Sequence, residues 1–165
     1  MSATAGPGRF PRALERVGLG LLVGGIAAVW LIGNLAFNLP EVLDRRTAGH
    51  FMARVFDHFR YLEAGAALVL VLGIALARER AHRFALRFVG AFLLAALLGG
   101  EFFIASRMKE LRPSPPASIE DLPKEDSRRR DFGRLHGAYF GCSAGILLLS
   151  LGLLATGPEP RPRPS

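Results

Sequence analysis

Four long apolar blocks, the charged and proline-bearing segments between them, and block interiors almost free of charge predict an all-α integral membrane protein. The fold expected is a single domain, residues 1–165, built as a bundle of four transmembrane helices. Half of the 165 residues are apolar, and they are gathered rather than dispersed, unlike the alternating pattern of a soluble globule. A spanning helix needs roughly 20 mostly apolar residues to cross a hydrocarbon layer about 30 Å thick. Each block is judged against that length.

The first span, 17–39, contains no charged residue between Arg16 and Glu41. Arg9, Arg12 and Arg16 precede it as they would a secretory signal. The apolar run is longer than a signal core, however, and has no clear small-residue cleavage site before Asn34 and Asn38, so a retained helix is expected. The second span, 59–78, rests on a short block, Ala64 to Ala77, whose helical pattern continues upstream through Phe51, Val55, Phe56 and Phe59. The third, 85–106, is interrupted only by Glu101, an expensive residue within a bilayer. The fourth, 134–156, has only His136, Tyr139 and Cys142 as titratable side chains between Arg134 and Glu159. Between these spans we expect a short link from Pro40 to Arg46, a tight turn at Arg78 to Arg83 and a mobile loop over 113–131, with flexible tails at 1–12 and 157–165.

With four spans both termini share one side. That side carries Arg9, Arg12, Arg16, Arg78, Arg80, Arg83, Arg87, Arg161 and Arg163 in short segments, while the bases opposite are diluted among acids. The positive-inside rule then favours cytoplasmic termini. The abundance of Ala, Gly, Leu and Arg suits a bacterial inner membrane. A net charge of +7 need not mean nucleic acid, because the arginines flank apolar spans where topology and anionic lipid explain them. The lipid bilayer is the expected partner, together with a second copy or another membrane protein.

Phe37 and Pro40 close the first span, Ala48 and Gly49 are followed by Phe56 and Tyr61, a segment runs from Ile104 to Arg112, and Phe132, Leu135, His136 and Gly137 open the fourth span. In order and spacing these stretches resemble the four-helix membrane family typified by transmembrane protein 205, also described as domain of unknown function 4149. Ser106 and Ser143 stand where the family pattern has a proline and an asparagine. The resemblance implies a membrane bundle and no particular chemistry.

Two constellations carry what functional signal there is. Gly133, Gly137, Gly141 and Gly145 recur every four residues, and Gly20 and Gly24 offer a matching surface on the first helix. Such ridges let helix backbones approach closely, either within the bundle or across a homodimer seam. The second signal comes from depth. At 1.5 Å per residue from the terminus-bearing side, Glu63, Glu101 and Ser143 with Cys142 fall at a similar level, roughly 21 to 23 Å in. Asn34 and His136 lie nearer the far surface, and His50, Arg54, Asp57 and Tyr61 form a polar stripe leading toward the two glutamates.

Two readings of the glutamates follow. In one, Glu101 pairs with Arg54, Arg60 or Arg107 while Glu63 snorkels at the interface. In the other, Glu63 and Glu101 face each other and share a proton or hold a small cation, with His136 as relay. Trp30 reads as packing, and Tyr61 and Tyr139 as members of an interfacial aromatic belt. A haem would need facing histidines such as His58 and His136, which nothing demonstrates. The lone Cys142 excludes an intrachain disulfide, and no cofactor or metal is expected. There is no zinc-binding HExxH, serine elbow or comparable signature, so an enzyme ranks last. The first expectation is a noncatalytic bundle acting through helix packing with itself or a partner. A transport or proton-relay component using Glu101, Glu63 and His136 is the alternative.

Overall fold

The computed structural model describes residues 9–39, 41–77, 81–114 and 117–156. It contains four helices, α1 (Arg9–Asn38), α2 (Arg45–Leu76), α3 (Ala81–Leu111) and α4 (Ser127–Ala155), with one short 3₁₀ turn at Ile119–Asp121. All four are long and apolar enough to cross a membrane. At 29 to 32 residues each extends to about 45 Å, so each overruns the hydrocarbon layer at its ends. Large apolar side chains such as Leu62, Phe92, Phe103 and Leu148 stand exposed on the outside of the bundle. In water that surface would be a liability; in a bilayer it faces acyl chains.

Local chemistry sets the helix starts on the loop side. Asp44 caps α2 by accepting from the Arg46 and Thr47 backbone N–H groups, and Asp126 caps α4 by accepting from Arg128. Each satisfies donors that would otherwise be orphaned at a helix start. The Thr47 hydroxyl bond, with the Thr47 amide next, holds the Asp44 carboxyl below its usual range.

Register along the hairpins is fixed by close approach. A Cβ at Gly18 would lie 2.7 Å from the Leu70 nitrogen, and one at Gly73 would lie 2.5 Å from the Glu15 nitrogen. The α1 and α2 backbones therefore touch at residues 18 against 66–70 and 15 against 73, an antiparallel pairing continued by Gly25 against Phe59. Likewise α3 and α4 pair antiparallel, with Gly90 against Leu153 and Gly145 against Leu97. The two hairpins enclose a core of Leu19, Leu22, Ile26, Leu70, Ile74, Leu94, Leu98 and Ile146. A smaller cluster of Val29, Ala36, Ala48 and Met52 closes the loop end of α1 and α2.

Several expectations need correction. The glycine ridge does not serve packing within the chain: a Cβ at Gly20, Gly24, Gly133, Gly137 or Gly141 would meet nothing within 4 Å. The reason is azimuth, since the core face of α4 is set by Tyr139, Ser143, Ile146, Ser150 and Leu153, and Gly141 lies nearly opposite Ser143 around the helix. Only Gly145 of that series is covered. Arg9 to Arg12, expected in a tail, begin α1, and 81–83, expected in a turn, begin α3; tail residues 1–8 and 157–165 lie outside the described residues. The described residues of the segment after α3 make defined contacts. Arg129 donates to the carbonyls of Glu120 and Leu122, Arg46 pairs with Asp121 at 2.7 Å, and α4 begins at Ser127 within the stretch expected to be loop.

Candidate functional site

Glu63 falls on the core stripe of α2, three residues before Ala66 and seven before Leu70. Glu101 continues the α3 stripe of Leu94 and Leu98, and Ser143 continues that of α4. Helical periodicity thus aims all three side chains at the bundle axis. Glu63 is 2% exposed and Glu101 1%. The two carboxyls are close enough across the α2–α3 interface to interact electrostatically, and the Ser143 hydroxyl donates to Glu101 Oε1. The other Glu101 oxygen and both Glu63 oxygens have no further donor among the described residues.

This geometry replaces one of the two readings made above. Glu63 does not snorkel at an interface; it is enclosed. Nor does Glu101 pair with Arg54, Arg60 or Arg107. Arg60 lies against Asp57 at 3.4 Å, Arg107 pairs with Glu110 at 2.7 Å, and Arg54 is exposed, its carbonyl accepting from His58. No cation therefore neutralises the two glutamates within ion-pair distance among the described residues.

The other residues proposed for the site fall away from it. His136 lies two turns, about 10 Å, loop-ward of Ser143, where it is exposed and stacks on Phe132 with centroids 6.2 Å apart. Asn34 is exposed, and its carbonyl accepts from Asn38. Trp30 stacks on Phe140 at 4.8 Å and bonds α1 to α4 by packing alone.

Two features were missed. Tyr139, read as interfacial, is buried one turn loop-ward of Ser143 and packs edge-on against Phe56 at 5.3 Å. It lies within electrostatic range of Glu101, Glu63, Arg60 and Asp57. Its spacing of four from Ser143 was the available signal. At the other end of the bundle, Arg87 of α3 and Glu15 of α1 form a buried ion pair at 2.8 Å, and Arg87 also reaches the Thr156 carbonyl after α4. Arg87 had been counted only as a terminus-side charge, and Glu15 had not been singled out. Among the described residues no group of three His, Cys, Asp or Glu side chains is arranged to hold a metal ion.

Four long apolar helices closing over a carboxyl pair define an integral membrane four-helix bundle. The chain belongs to the family described as Domain of unknown function (DUF4149), which matches residues 17–114. The match takes in both glutamates and ends just after α3, leaving Ser143 and Tyr139 beyond it. No curated protein and no solved structure matches the chain.

Proposed function

We propose that this protein handles protons within a membrane, as a component of proton-coupled transport or of a proton relay, and that Glu63 and Glu101 share the proton it carries. The observation behind this reading is the burial of two neighbouring carboxyls with no cation within ion-pair distance among the described residues. Two like charges side by side in a desolvated interior repel strongly, and each also loses its hydration, so the pair is tenable with a proton between its members. A hard metal ion would take six or more oxygens; two carboxyls and one hydroxyl offer five at most, and with the helical backbone carbonyls engaged the remainder would have to be water brought into a closed interior.

Localisation and assembly belong to the same proposal. The arginines clustered near the termini support cytoplasmic termini, and the abundance of Ala, Gly, Leu and Arg supports a bacterial inner membrane. The open α4 face at Gly133, Gly137 and Gly141 supports association with a second membrane helix. The test of function is proton counting. Purified protein in detergent, stepped between pH 9 and pH 6 with an indicator dye, should take up one proton more per chain than Glu101→Gln or Glu63→Gln. Equal uptake in all three would refute the reading.

A further inference from the structure

The two ends of the bundle offer the carboxyl pair unequal surroundings. On α2, Asp57, Arg60 and Glu63 follow at spacings of three, so they form one ladder descending from the loop side. On α4, Tyr139 precedes Ser143 by four and lies within electrostatic range of Arg60. Arg60 lies over the rings of Tyr61 and Phe102 at 5.2 and 5.6 Å, which carries the ladder to the residue next to Glu101. Arg112 extends it outward, its charge acting on Asp57. A polar track thus runs from the loop side to the pair.

Toward the termini the path is apolar. Leu70, Ile74, Leu94, Ala91, Ile146 and Leu153 close the axis, and beyond them the Glu15–Arg87 pair ties α1 to α3. The polar side chain in this layer is Ser150, fully buried and without a partner for its hydroxyl. It sits about 10 Å from Ser143 along α4 with Ile146 between them, too far for a hydroxyl to hand on a proton. From α1 no titratable side chain reaches the pair, since residues 17–40 contain none.

We propose that the carboxyl pair exchanges its proton with the loop side alone, through the Tyr139 hydroxyl and the Asp57–Arg60 pair, in the conformation described. The proposal rests on the proton-sharing reading above and adds a route and a direction to it. In each transfer the hydroxyl gives its proton toward a carboxylate oxygen, with water bridging any gap, while accepting another from the loop side. Tyr139 ends unchanged and no net charge is left in the track. Asp57 neutralises Arg60, which would otherwise repel an incoming proton. Tyr139 is in this sense a transfer group, and Asp57 a positioning residue that acts through Arg60.

The experiment is hydrogen–deuterium exchange of the buried carboxyl, followed by its infrared C=O band after a lipid film of the protein is switched to D₂O. Tyr139→Phe should leave the band's position and intensity at equilibrium intact but slow its isotope shift by about tenfold or more, as loss of a positioned transfer group does. Asp57→Asn should slow it as well, which keeps the test available if the Phe variant folds poorly. An unchanged rate in both, or slowing by Ser150→Ala instead, would overturn the route while leaving the shared proton in place. If the wild type shows no band that Glu101→Gln removes, the proton-sharing reading itself fails and the route with it.

Discussion

At the scale of single residues, the site is held by one donor. Ser143→Ala would remove the hydroxyl from Glu101 Oε1 and leave a buried acceptor unpaired, at a cost of about 1–3 kcal/mol. Thermal unfolding in detergent measures that loss. Arg87→Met should also destabilise, because it breaks the buried ion pair with Glu15; Arg87→Met with Glu15→Leu should recover part of the loss. How far these residues were legible depended on which coordinate mattered. Rise per residue gives depth, and depth alone put Glu63, Glu101 and Ser143 in one layer. Whether the glutamates faced each other or cations depended on azimuth, which depth does not supply. The stripe of Leu94, Leu98 and Glu101 held that information. His136 shows the converse error, since it shares the α4 face of Ser143 but lies two turns too far out.

At the scale of elements, glycines divide by what stands opposite them. Gly73→Ala would drive a methyl into the α1 backbone at Glu15, where neither helix can yield, and should destabilise the α1–α2 hairpin by on the order of 1–3 kcal/mol. Gly137→Ala meets open space and should leave the monomer's melting temperature unchanged or raised. A four-residue glycine spacing is visible in any helix, but the face it lands on depends on the whole stripe of buried neighbours. That is why the ridge was found and its placement was not. The loop-side clamp adds a pH dependence. Asp121 is held below its usual range by the Ser118 amide and then by Arg46, and Asp126 by the Arg128 side chain and amide. Groups with depressed folded values stabilise above the ordinary Asp pKa of about 3.9, and that contribution is lost as pH falls through the depressed values. Amide exchange over 118–130 should therefore accelerate relative to the α1–α2 core below about pH 4, and should be flat between pH 6 and 8.

For the whole molecule, the four spans were legible because bilayer thickness imposes a length and lipid imposes a composition. Those constraints act locally along the chain. Interhelical arrangement is not local: it came from Gly18 and Gly73 fixing the first hairpin and Gly90 and Gly145 the second, and from the carboxyl pair at their junction. The result is a bundle whose axis is apolar just on the terminus side of two buried acids and polar on their loop side. On the reading proposed, these acids hold a proton between them. Infrared spectra of the protein in nanodiscs at pH 7, taken against Glu101→Gln, decide whether they do. A protonated-carboxyl band present in the wild type, lost in Glu101→Gln and altered in Glu63→Gln is the predicted result. Spectra showing only ionised carboxylate at pH 7, with no band for either substitution to remove, would contradict it.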